Sequence, residues 1–94
     1  MNDFDGQTAI VTGGAQGIGG AVASELRNRG ARLAIWDMDI AQAEKKAKEL
    51  GGGALAIEVD IGDWDNVCAA CSKTLDTTGR IDVVVNSAGV AGPN

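Results

Sequence analysis

Four short apolar runs alternate with three stretches of helical periodicity, and this alternation constrains the fold more than any other feature of the chain. The runs are Thr8-Ala9-Ile10-Val11, Arg32-Leu33-Ala34-Ile35-Trp36, Ala54-Leu55-Ala56-Ile57-Glu58-Val59 and Ile81-Asp82-Val83-Val84-Val85. Their length and β-branched content read as strands. Three consecutive valines without polar alternation predict a strand covered on both faces, as in a parallel sheet. After the first run, Ile18, Val22 and Leu26 stand four residues apart and share one helical stripe. After the second, Asp39 is placed to cap a helix that turns Ala43, Ala47 and Leu50 to one side. Lys45, Lys46, Lys48 and Glu49 fall mainly on the other sides as a solvated face, with Glu44 and Lys48 a favourable i,i+4 pair. After the third, Asp63 can cap a helix whose apolar stripe runs through Trp64, Val67, Cys68, Cys71 and Leu75. Gly30, Gly51-Gly52-Gly53 and Gly79 end the three helices.

The order β-α-β-α-β-α-β predicts an α/β fold. Right-handed crossovers then favour a doubly wound parallel sheet, a Rossmann fold, with strand order 3-2-1-4. In that order the winding reverses between strands 1 and 4, and ligands bind in the crevice where it does. The residues that fall there are the turn Thr12-Gly13-Gly14-Ala15-Gln16-Gly17-Ile18-Gly19 and the segment Asn86-Ser87-Ala88-Gly89. A glycine cluster is often only a tight turn. The spacing also differs from the widespread Gly-x-Gly-x-x-Gly, since counting on from Gly17 and Gly19 the third position is Val22. Between a strand and a helix, however, such a turn presents backbone amides and the positive helix end to a phosphate, and any Cβ would hold a pyrophosphate away.

Asp37 ends the second run, eighteen residues beyond Gly19. An acidic residue near this distance in a nucleotide-binding βαβ unit accepts hydrogen bonds from the adenosine ribose. The same carboxylate repels a 2′-phosphate, and neither the glycine turn nor the segment from Trp36 to Ile40 carries a lysine or arginine to neutralise one. NAD is therefore preferred over NADP. The ordinary alternative for Asp37 is a surface aspartate capping the next helix.

Composition narrows the function classes. With 45% hydrophobic and 22% charged residues in 94, the chain is expected to pack as one globular unit or a piece of one. A net charge of −5 and no basic run argue against a nucleic-acid surface. No apolar stretch approaches membrane-spanning length and the first residues do not read as a signal peptide, so a cytoplasmic protein is the expectation. Cys68 and Cys71 form a Cys-x-x-Cys pair, but without histidine or further cysteine zinc would lack two ligands. No metal site is expected, and core packing is the expected role of both thiols.

Taken together, Thr12-Gly13-x-x-x-Gly17-Ile18-Gly19, Asp37, Asp60-Ile61 and Asn86-Ser87-Ala88-Gly89 resemble the N-terminal half of a classical short-chain dehydrogenase/reductase. The likeness covers essentially the whole chain; one small departure is Ser87, where the family usually has a second asparagine. The resemblance implies that Gly13, Ala15, Gln16, Gly17 and Ile18 surround the adenosine ribose and pyrophosphate. It implies Asp37 on the ribose hydroxyls, Met38 beside the adenine, and Asp60 and Ile61 against the adenine ring. Asn86, Ala88 and Gly89 would line the cofactor's central ribose, with Asn86 also tying strand 4 to its neighbour. Ending a strand is an equally ordinary role for Asp60, as serving the sheet is for Asn86.

The family transfers hydride between nicotinamide and an alcohol or carbonyl, with a tyrosine moving the proton. The chain has no tyrosine and no histidine, so no catalytic residue can be assigned within it. A bare apolar edge at strand 4 and a loop-like Gly92-Pro93-Asn94 add to the expectation of a fragment: residues 1–94 as the dinucleotide-binding part of a single Rossmann domain. The expected function is an NAD-dependent oxidoreductase acting on a small alcohol or carbonyl (a sugar, sugar acid or 3-oxoacyl group), with the 94 residues inactive alone. The alternative is a non-catalytic NAD-binding sensor or scaffold. The resemblance further implies a homo-oligomer, a tetramer or dimer.

Overall fold

The computed structural model describes residues 3–87. Seven elements follow one another: β1 (Thr8–Thr12), α1 (Gly17–Asn28), β2 (Arg32–Asp37), α2 (Ile40–Leu50), β3 (Leu55–Glu58), α3 (Trp64–Thr78) and β4 (Val83–Asn86). The strands form one parallel sheet in the order β3-β2-β1-β4, as expected for a doubly wound fold. Ile10 lies between Ala34 and Val84, and Val11 between Ile35 and Val85, so alternate residues of β1 face opposite layers.

α1 and α2 cover one face. Ala23, Leu26 and Ala43 pack there on Ala9, Val11, Leu33 and Ile35. α3 covers the other, where Ala70 meets Ile10, Ala34, Trp36, Ile57 and Val59. Leu33 and Ile35 are fully buried, each contributing on the order of 1.5–3 kcal/mol by leaving water. Asp39 and Asp63 cap α2 and α3 through the amides of Gln42 and Asn66, and Gly79 ends α3 in the left-handed conformation.

Several side-chain expectations need correction. Cys68 is exposed, and only Cys71 packs against the core. Trp64 and Leu75 are exposed as well, and the contact line of α3 runs instead through Val67, Ala70, Cys71 and Thr74. The bulk of Trp36 opposite explains the shift. Its indole Nε1 donates to Thr74 Oγ1 at 3.2 Å, so α3 approaches through its small residues and turns its large ones aside. Val84 is 62% exposed, because β4 is an edge strand and α3 does not reach across it; the prediction of cover on both faces fails here. On α2 the ion pair present is Lys46–Glu49, with Lys46 half-buried and also donating to Ser24, whereas no Glu44–Lys48 pair forms among the described residues.

The start of β1 is clamped to the entry of β4. Asp82 Oδ2 accepts from the Thr8 amide at 2.8 Å, the Asp82 amide donates to the Thr8 carbonyl at 2.9 Å, and Arg80 holds both carboxylate oxygens. The guanidinium of Arg80, and then the Thr8 amide, keep the Asp82 carboxyl below its usual range. Because the folded state lowers this pKa, the clamp's stabilisation is fully present above the ordinary carboxylate range and lost as pH falls through the lowered value. Thermal unfolding of Asp82→Asn should therefore begin earlier than in the parent at pH 7. The two melting curves should converge as the pH falls below the lowered value of Asp82.

Candidate functional site

The turn between β1 and α1 is built from backbone. Gly13 and Gly17 sit at φ 64° and 63°, where side chains bring strain, and the Gly13 amide donates to the Trp36 carbonyl at 2.7 Å. Gly19 is constrained by space. A Cβ there would lie 2.9 Å from the Gly13 carbonyl carbon, nearer still to its oxygen, and against the Ser87 hydroxyl. The side chain of Gln16, at the N-cap of α1, makes no capping hydrogen bond, unlike Asp39 and Asp63 on the other helices. Nor does any acidic side chain stand in the first turn of α1. That helix end therefore faces the crevice without a carboxylate of its own, which is the arrangement that receives an anion.

Two strand ends complete the crevice. Ser87 donates its hydroxyl to the Thr12 carbonyl, and Thr12 Oγ1 donates to Asn86 Oδ1 at 2.8 Å, which joins the end of β4 to the glycine turn. On the other side Asp37 Oδ2 accepts from the Ala15 amide at 3.3 Å and Oδ1 from the Asp39 amide at 3.0 Å. The Asp37 carbonyl accepts from the Val59 amide at 3.1 Å, so the exit of β3 is tied to the exit of β2.

Between these parts lies an open cavity of about 460 Å³, within the range of cofactor sites. Gly13, Gln16, Gly17, Ile18 and Gly19 form one wall; Trp36, Asp37 and Met38 form the floor and rim; Val59, Ile61 and Ser87 close the rest. No lysine or arginine lines it among the described residues. A turn with no room for a Cβ at Gly19, beside an uncapped helix end, suits a diphosphate.

Of the residues singled out in the sequence, Gly13, Gln16, Gly17, Ile18, Asp37, Met38 and Ile61 line this cavity. Ala15 does not line it but holds Asp37 through its amide. Asp60 borders an adjoining smaller cavity with Met38 and Asn66, and its Oδ1 accepts from the Gly62 amide at 2.9 Å. Asn86 serves the junction with Thr12. Ala88 and Gly89 lie outside the described residues. Ile18, which shares a helical stripe with Val22 and Leu26, is 66% exposed because the first helical turn overhangs the cavity. Gly19 and Ser87, placed at the crevice with the glycine turn and the end of strand 4, line it too, whereas Trp36 and Val59 were missed. Their positions at the carboxyl ends of β2 and β3 were the available signal.

A family model described as short chain dehydrogenase matches residues 7–94. D-threitol dehydrogenase of Mycolicibacterium smegmatis is 46% identical over 91 residues, covering 94% of this chain and 35% of that protein. Sorbitol dehydrogenase of Cereibacter sphaeroides is 41% identical over 85 residues, covering 90% of this chain and 33% of that one. Among solved structures, the 3-ketoacyl-(acyl-carrier-protein) reductase of Brucella melitensis complexed with NADH superposes with a TM-score of 0.84 at 35% identity, over 87% of this chain and 34% of that one. The chain thus spans about a third of the length of the curated relatives it matches.

Proposed function

The chain belongs to the short chain dehydrogenases, and on that premise we propose that it is the dinucleotide-binding portion, residues 1–94, of a single-domain NAD-dependent oxidoreductase. The observation that carries the cofactor choice is the Asp37 carboxylate at the cavity rim, beside the Ala15 amide, with no cation among the described lining residues. A 2′-phosphate placed there would meet an unscreened like charge, whereas ribose hydroxyls would donate to it.

The bound cofactor supplies hydride transfer at its nicotinamide. The residues of this chain bind and orient. Gly13, Ala15, Gln16, Gly17 and Ile18 would surround the diphosphate and the adenosine ribose, Asp37 would accept from the ribose, Met38, Asp60 and Ile61 would border the adenine, and Asn86, Ala88 and Gly89 would line the central ribose. We place the proton-transferring side chain beyond Asn94, since the 94 residues include no tyrosine or histidine, and the isolated chain would then turn over no alcohol. The exposed Val84 on the free edge of β4 supports this division, because such an edge is ordinarily covered. The threitol and sorbitol dehydrogenases among the relatives favour a small polyol as substrate, with a 3-oxoacyl group second. A cytoplasmic homo-oligomer, tetramer or dimer, completes the proposal.

Titration of NAD and NADP against the parent and Asp37→Ala tests it. The parent should favour NAD, and the variant should lose about ten- to a hundredfold in NAD affinity, the worth of one charge-assisted hydrogen bond, while closing the gap to NADP. An unchanged preference in the variant would remove Asp37 from the ribose and the proposal with it.

A further inference from the structure

With the diphosphate at the glycine turn and the ribose at Asp37, the base must extend past Asp37 toward the exit of β3. There Met38, Val59 and Ile61 offer apolar surface to the cavity. The inference that follows rests on that cofactor reading. The segment carrying Val59 and Ile61 has no regular structure of its own, so its position depends on what its amides are bonded to. The Val59 amide goes to the Asp37 carbonyl, backbone to backbone. The Asp60 amide, between the two wall residues, goes to a side chain: Asn66 Oδ1 accepts it at 2.6 Å.

Asn66 stands three residues into α3, the position from which a side chain usually reaches back to the N-cap amide. Here it reaches three residues further, past Asp63 to Asp60, so its bond does not cap the helix. Asp63 performs that task through the Asn66 amide at 3.2 Å and would go on doing so without the Asn66 side chain. Asn66 is half-buried and lines the small cavity shared with Met38 and Asp60. We propose that Asn66 is a positioning residue for cofactor affinity: its Oδ1, holding the Asp60 amide, sets the wall against which the adenine packs.

The test uses the full-length protein and ADP-ribose, which carries adenine, ribose and diphosphate without nicotinamide. In Asn66→Ala the Kd for ADP-ribose and the KM for NAD should each rise roughly three- to tenfold, with kcat at saturating NAD unchanged. Asn66→Asp keeps an acceptor at the same place and should bind within about twofold of the parent. Hydrogen exchange in the ligand-free protein should quicken at the Asp60 amide in the alanine variant only. An alanine variant that binds ADP-ribose like the parent, or an aspartate variant as weak as the alanine one, overturns the role of Asn66 and leaves the cofactor site standing. A parent that does not bind ADP-ribose overturns both.

Discussion

Gly19→Ala should lower NAD affinity by about ten- to a hundredfold while leaving the helix content intact. Alanine in an exposed helix stabilises it by roughly 1 kcal/mol over glycine, so propensity by itself favours the change. Position 19 is not exposed. The added methyl would lie 2.9 Å from the Gly13 carbonyl carbon and against the Ser87 hydroxyl, and the carbonyl belongs to backbone that cannot rotate aside. Overpacking of this kind costs about 1–3 kcal/mol, which outweighs the propensity gain and is met by moving the turn. A moved turn no longer aims its amides at one point. Equilibrium titration with NAD, beside a far-ultraviolet circular dichroism spectrum, separates the two effects. Undiminished affinity would show that the cofactor is held by some other conformation of the turn.

Trp36→Ala should cost about 3–5 kcal/mol of stability and, with it, most of the cofactor affinity. Trp36 is 4% exposed, fills the space between β2 and α3, and forms part of the cavity floor. Its loss opens a void that Ala70, on the facing helix, is too small to fill. At several degrees per kcal/mol for a unit of this size, the midpoint should fall by more than about 12 °C. Trp36→Phe should recover most of the stability, because Thr74 Oγ1 retains its own bond to the Ala70 carbonyl at 2.8 Å and is not orphaned when the indole goes. Urea unfolding of the three proteins gives the comparison, and a phenylalanine variant as unstable as the alanine one would mean that the indole N–H, not the packing, holds α3.

Strand order and helix caps were legible because each depends on local chemistry repeated at regular spacing. Apolar runs separated by helical stripes allow few topologies, and aspartates at 39 and 63 are the residue type that satisfies a first-turn amide. The glycine turn and Asp37 were legible for the same reason, since backbone access and a lone carboxylate have few substitutes. What escaped were facings decided by partners far along the chain. Large apolar residues mark a stripe on α3, but Trp36 selects the small ones, Ala70 and Thr74, for contact. Cys68 follows Trp64 and Leu75 to the surface by the same geometry. Val59 carries no signal of its own type and enters the cavity only through the register of β3 with β2. Asn66 reads as an ordinary first-turn residue until its bond to Asp60 is seen.

The bonds that join Thr12 to Asn86 and Ser87 span 74 and 75 residues of chain. During synthesis, β1, β2 and β3 can leave the ribosome and pair while the tether that finishes the phosphate cradle is still unmade. Loop closure over such a distance comes late and slows folding, so the ability to hold a ligand should be among the last properties that residues 1–94 acquire. Added nucleotide can then stabilise the chain only after β4 has docked, and protection by it would time that step.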